Sequence, residues 1–555
     1  MNKQTIKTLI CFGVNLAIVC LAIFVFGTRL SIDDDNILSW MTYGIITRPS
    51  ARTLYTNIIL GGLYKRLFLL FPGFNWQTFI YYVFIVFSGT VGLYAVLMKK
   101  NRILTILWAM FEVTFFYDVY IVLTFSMVAG YLACQGYLAL FLLLQEEKRS
   151  VFLYMASGLS LIISAMIRTG PFISASGFAF VVWLVIVISD YKNLHDIKSI
   201  AKKWIYPLAL IFAVCFAVVV LDKAFYTKGD WKEYRDHENM SSIVTDEDNS
   251  ANRGDFDLLE KVGVTKTQGL AVVEWRSNDP EILTTELLEK IVSTKDNYRY
   301  LTSPTVWETF WIQWKKFFST YCEVYFSLII LVSIICFTKK LAPVLLIFPF
   351  LGEVFYLAYI GRVDDGIYPE RCVYVIFMPL VIGAMILLAS LKQTMETNCV
   401  VSWVALGVLA ISVFVAQVGK DFSINGLGLV DTDEICKEYG YLGNGNKIYV
   451  CEYDVRTEVE EAFGAWQVPE AGFMDQTVVI GSWTIDHPMQ NELQASLGAS
   501  NPYRALFEND NVYYIEKNSS HDAVLSYLKE NYDERIEMEY IKEKGNFKVF
   551  KYSIE

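Results

Sequence analysis

Eleven apolar runs, each long enough to cross roughly 30 Å of hydrocarbon, leave this chain of 555 residues few folds to choose from. They cover 8–26, 77–98, 103–117, 120–144, 151–167, 172–188, 204–221, 321–338, 341–360, 373–391 and 400–418. Inside a bilayer every backbone N–H and C=O must be satisfied within the protein, so runs of this length are read as helices. The expected fold is mostly α: a polytopic helical membrane bundle of about eleven transmembrane helices. The first run is long, lacks a small-residue cleavage site and is followed by further spans, so it reads as a retained anchor rather than a signal peptide.

Charge orders these spans. Lys99, Lys100 and Arg102, then Lys148 and Arg149, then Lys192, Lys198, Lys202 and Lys203, then Lys339 and Lys340 fall in connections on the side of Lys3 and Lys7. The positive-inside rule makes that side cytoplasmic, and an odd number of spans carries the C-terminus outside. The net charge of −11 argues against a nucleic-acid partner, and its acid lies outside the spans, around 230–257 and 431–555. Ten cysteines fall mostly within or beside spans. Cys436 and Cys451 are the two in the tail, and they read as separate thiols more readily than as a bridge.

Four regions follow. Residues 1–221 hold seven spans and a first outer loop, 27–76, in which 37–46 and 53–71 have the apolar spacing of helices lying along the membrane. Residues 222–320 form a large extracytoplasmic loop whose end, with Trp307, Trp311, Trp314, Lys315 and Lys316, reads as an interfacial helix. Residues 321–419 hold the last four spans. Residues 420–555 alternate as a small extracytoplasmic α/β domain, with strands at 447–452, 477–480, 511–516 and 546–552 and a helix at 522–532.

The chemistry concentrates in the first outer loop, where Asp33, Asp34 and Asp35 follow the first span. Ionisable groups at membrane depth are costly and mark sites. Adjacent carboxylates there can hold a divalent cation such as Mg or Mn, or supply a general base with a raised pKa. The plainer role is to cap a helix starting near Ile37. Glu112 and Glu353 lie within apolar runs, where an acid faces the bundle interior or a water-filled cavity. Each is expected to pair with an arginine, or to lie on the path of a proton-coupled transporter. His195, His237, His487 and His521 have no ligand spacing, and no phosphate loop, dinucleotide fingerprint or nucleophile elbow occurs.

A single span, an outward loop opening on Ile32-Asp33-Asp34-Asp35-Asn36, two membrane-lying helices and a series of spans are similar in layout to the GT-C superfamily of polytopic glycosyltransferases, over residues 1–418. That resemblance implies a polyprenyl-phosphate-linked sugar donor used at the outer face, an inverting transfer, and a catalytic base in the first outer loop. The base falls on Asp34 or Asp35, with Asp33 less favoured. A phosphate donor also needs cations. Arg168, between the fifth and sixth spans, and Arg362 and Arg371, around the turn between the ninth and tenth, are placed to clamp it, and Glu112 is a further substrate-binding candidate. The implied partners are a lipid-linked donor, a glycan or other cell-envelope acceptor and membrane lipids, in a bacterial cytoplasmic membrane. A repeat-unit polymerase, a flippase or transporter of lipid-linked saccharides, and a non-catalytic scaffold are the competing readings.

Overall fold

The structure, a computed structural model, describes residues 3–30, 33–146, 150–194, 196–246, 249–294, 322–338, 342–360, 370–390, 447–470, 472–517 and 520–555, with the single positions 311, 315, 407 and 411. Among these residues six helices are long and apolar enough to cross a membrane, and two shorter apolar helices accompany them, which makes this a multi-pass membrane protein. Eleven spans were expected. The run at 103–117 becomes a helix of only 13 residues, α5, Arg102–Thr114, which at 1.5 Å per residue reaches about 20 Å. Its chain continues as a π turn, Tyr117–Ile121. The last expected span, 400–418, lies outside the described residues apart from 407 and 411.

At the centre stands α6, Phe125–Leu144, all twenty of whose residues are buried. A helix apolar on every side needs protein on every side. Here α4 (Trp76–Met98), α7 (Val151–Ile167), α8 (Thr169–Leu194) and the late helix Glu370–Ser390 supply it. Short polar side chains start these helices: Asn75 accepts from Thr78 N, Thr124 from Met127 N and Ser150 from Leu153 N, each satisfying an orphan donor of the first turn.

The bundle has two chemically different ends. The C-terminal ends of α4 and α6 meet in a Lys99–Glu146 ion pair at 2.6 Å. Lys100, Arg102, Lys198, Lys202 and Lys203 belong to that same set of connections. At the other end gather α2 (Asp33–Tyr43), α3 (Ile58–Leu70), the α7–α8 junction and the start of Glu370–Ser390.

A unit of strands and short helices covers this second end. Residues 447–555 form a five-stranded sheet in the order β4-β3-β5-β7-β6. Here β3 is Ile448–Cys451, β4 Thr477–Val479, β5 Val512–Glu516, β6 Ile536–Lys544 and β7 Phe547–Ile554. The first three are parallel; β7 and β6 run antiparallel. Read separately from sequence, residues 222–294 and this tail share one hydrophobic core, while the expected interfacial helix around Trp307 and Trp314 lies outside the described residues. Val244, Leu259, Val272, Leu288 and Ile291 pack with Val450, Ile480, Tyr514 and Tyr552. Cys451 is a buried thiol; Cys436 lies outside the described residues.

The unit is clamped to the bundle along a polar seam. Asn75 N donates to Trp466 O at 2.9 Å, Thr78 Oγ1 to Ala465 O at 2.7 Å and Arg48 N to Met489 O at 3.2 Å. The indole of Trp466 stacks on Tyr82 at 5.6 Å. His487 is fully buried there; its Nε2 meets Arg52 O at 2.9 Å while Nδ1 accepts from Met489 N at 3.2 Å. Burial pushes its pKa down to about 4, so it stays a neutral linker at neutral pH.

Candidate functional site

The acid triplet is placed by two local devices. A two-residue strand, Arg29–Leu30, pairs in parallel with Val122–Leu123, which ties the chain ahead of the triplet to the chain ahead of α6. The three aspartates then form the opening of α2 itself, where the partial positive charge of a helix N-terminus favours acid. Helix formation was expected from about Ile37; the acids start it earlier.

Asp35 is fully buried, 0% exposed, and its Oδ1 accepts from Phe125 N at 2.8 Å, at the N-terminus of α6. Its Oδ2 has no hydrogen-bond partner among the described residues. Burial drives this carboxyl well above the usual carboxylate range, with Asp34 adding to the rise; the Phe125 N–H, Arg371 and Arg168 oppose it. Asp34 has the opposite surroundings. Its side chain is 29% exposed, its Oδ2 lies 3.6 Å from an Arg371 guanidinium nitrogen, and its Oδ1 accepts from Trp483 Nε1 at 3.1 Å. The side chain of Asp33 lies outside the described residues.

Arg168 ends α7, with its backbone N–H on Ser164 O. Its guanidinium sits over the rings of Phe125 at 4.3 Å and Tyr55 at 5.2 Å, a cation–π arrangement that holds a cation without neutralising it. Burial lowers its pKa, and Arg371 acts in the same direction against the pull of Tyr55 and Asp34. The structure therefore brings together four of the residues singled out from sequence: Asp34, Asp35, Arg168 and Arg371. Arg362 lies outside the described residues.

Glu112 is engaged differently from expectation. Among the described residues no arginine meets it. Its carboxyl accepts from Tyr120 OH at 2.6 Å, Gln135 Nε2 at 2.7 Å and Tyr131 OH at 3.1 Å. Trp108 Nε1 in turn donates to Gln135 Oε1 at 3.2 Å. Gly92 makes room for that amide, since any Cβ there would collide with Gln135 Oε1. Uncharged phenols and an amide thus do the work assigned to a cation. Glu353 sits half-buried in Ile347–Ile360.

Three residues of the cluster were not anticipated. Tyr55 hydrogen-bonds the buried Glu238 on the helix Asp230–Asp246 and packs edge-on against Trp483 at 4.9 Å. It is aimed by Leu54, which holds a left-handed φ of 60° and donates its N–H to Tyr226 OH at 3.0 Å. Such a φ in a non-glycine residue costs on the order of 1–3 kcal/mol and survives only where neighbours enforce it. Trp483 follows Gly481, whose hydrogen faces Trp275 O so closely that no side chain fits. A glycine ahead of a tryptophan in a polar loop was the available signal.

Among the described residues no group of three His, Cys, Asp or Glu side chains could hold a metal ion. Asp34 and Asp35 face different partners, a guanidinium with an indole and a backbone amide.

No family model matches this chain, and no curated protein matches it. Among solved structures it is similar to ArnT from Cupriavidus metallidurans bound to undecaprenyl phosphate, with a TM-score of 0.45 and 10% identity, over 98% of this chain and 97% of that chain.

Proposed function

We propose that this chain is a membrane glycosyltransferase of the GT-C type, passing a sugar from a polyprenyl-phosphate carrier to a cell-envelope acceptor at the outer face. The observation that carries the reading is the meeting of Asp34 with Arg371 and Arg168 at the end of the bundle opposite the lysine-rich connections. By the positive-inside rule that end is extracytoplasmic.

In this reading Asp34 is the catalytic base and Asp35 a positioning residue. Asp34 is partly exposed, so an acceptor hydroxyl can reach it; Asp35, at 0% exposure, touches no substrate without rearrangement. The acceptor O–H gives its proton to Asp34 as its oxygen bonds to the anomeric carbon. The bond from that carbon to the phosphate oxygen breaks with its electron pair, and the carrier leaves as polyprenyl phosphate. Arg168 and Arg371 take up the charge that develops on the leaving oxygen, a role in which preorganised cations are most effective. Phe125 and Tyr55 keep Arg168 from collapsing onto a carboxylate in the resting site.

A magnesium or manganese ion at Asp34 would have to displace Arg371, and we read the arginines as supplying the positive charge instead. Chelation is then expected to leave transfer unchanged. The direct test is mass spectrometry of surface glycans from cells carrying Asp34→Asn, Asp35→Asn or the unaltered chain. Asp34→Asn is expected to abolish the product at normal expression, while Asp35→Asn retains part of it. Full product from Asp34→Asn removes the base from this scheme.

A further inference from the structure

A second feature lies in the unit of strands and short helices, apart from the arginine-flanked carboxylates. Between the helix Asp230–Asp246, the helix Thr285–Ser293 and the helix Pro488–Ser496 opens a groove of about 850 Å³. Six carboxylates line it: those of Asp230, Glu233, Glu286, Asp486 and Glu492, together with that of Asp279, which Tyr527, Tyr532 and Asn501 already hold; no lysine or arginine is among the described residues that line it. A cleft lined by one sign of charge raises the local concentration of the opposite sign.

The groove also has unmet hydrogen-bonding capacity at its wall. Ser277 is 2% exposed and its hydroxyl has no partner among the described residues. His237 is 4% exposed; its Nδ1 lies 3.2 Å from Asp486 Oδ2 and its Nε2 has no partner among the described residues. Leaving buried polar atoms unmet is unfavourable, so two of them on one groove point to a ligand that supplies hydroxyls. The carboxylates do not converge: among the described residues no three acids could hold a metal ion. A ligand that matches them must carry its positive charge spread along its length.

We propose that this groove binds a saccharide bearing free ammonium groups, through charge-assisted hydrogen bonds from the ammoniums to the carboxylates and from the sugar hydroxyls to Ser277 and His237. Binding here is independent of any transfer step. The groove is nonetheless next to the supports of the first site: His237 adjoins Glu238, the partner of Tyr55, and Asp486 lies three residues beyond Trp483.

The test uses the full chain in nanodiscs and titration calorimetry with a β-linked glucosamine trimer, its fully N-acetylated counterpart and spermidine. The glucosamine trimer is expected to bind at least tenfold more tightly than either, with affinity falling as salt rises. Glu233→Gln combined with Glu286→Gln, both exposed positions, should weaken it about tenfold at unchanged melting temperature; Ser277→Ala should weaken it severalfold. Equal binding of the acetylated trimer would overturn the charge match, and equal binding of spermidine the saccharide. An affinity indifferent to the double substitution would overturn the site itself. Glycan production by the same variants, followed in parallel, reports on the transferase reading separately.

Discussion

Asp34 and Asp35 at one end of the bundle and Glu112 within it are carboxyls that hydrocarbon would penalise, and the protein answers them in opposite ways. Glu112 is surrounded by three neutral donors, Tyr120, Tyr131 and Gln135, which stabilise it where it stands. Asp34 is given one neutral donor, Trp483, and a guanidinium at the long distance of 3.6 Å, so its capacity is held in reserve. Asp35 keeps one oxygen wholly unmet. A satisfied buried acid stabilises; an incompletely satisfied one at an accessible edge is available for chemistry.

The contrast is broken most severely by removing ionisation from each acid in turn. Asp34→Asn is expected to lower transfer by about 10²–10⁴, the usual contribution of a general base, while Glu112→Gln leaves the rate close to that of the unaltered chain. Rates from purified protein with a polyprenyl-phosphate sugar check this, and a comparable loss in both variants would erase the distinction. Next in size, Glu112→Ala strands three donors and should cost about 1–3 kcal/mol for the group left unmet, read as a lower melting temperature in detergent that Glu112→Gln does not share.

A smaller effect sharpens the description of Asp34. Trp483→Phe removes one indole N–H, worth about 0.5–1.5 kcal/mol, and should change the rate by up to about tenfold without moving the melting temperature as far as Glu112→Ala. The smallest concerns Asp35. Because burial raises its folded pKa above the unfolded value, its contribution to stability is fully present below the unfolded pKa and is lost as pH rises through the folded one. The unaltered chain should therefore lose stability over that rise, and Asp35→Asn, which still accepts from Phe125 N, should flatten the curve. Identical pH profiles for the two proteins would show that Asp35 does not carry the burial cost assigned to it.

Much of the membrane layout was legible because hydrocarbon imposes one requirement on every span, and α4, α6 and α8 were located on that basis. The run at 103–117 was read as a span from apolar composition alone; α5 covers it with 13 residues, eight of them buried, while Ile106 and Val113 stay exposed. In the tail, β3, β4, β5 and β7 were read to within a few residues, whereas β6, Ile536–Lys544, was missed. Its glutamates alternate with Ile536, Met538 and Tyr540, the period of a half-buried edge strand. At the site, Asp34, Asp35, Arg168 and Arg371 were visible as costly charges beside spans. Tyr55, Glu238 and Trp483 were not, because their roles rest on contacts between segments distant in the chain.

The hydrogen bond from Trp483 to Asp34 spans 449 positions of sequence. In the order of synthesis the acid is therefore made 449 positions before the indole that caps it. A chain stopped anywhere between the two holds the carboxylate without that hydrogen bond, so a segment far downstream sets the charge environment of an acid placed before it.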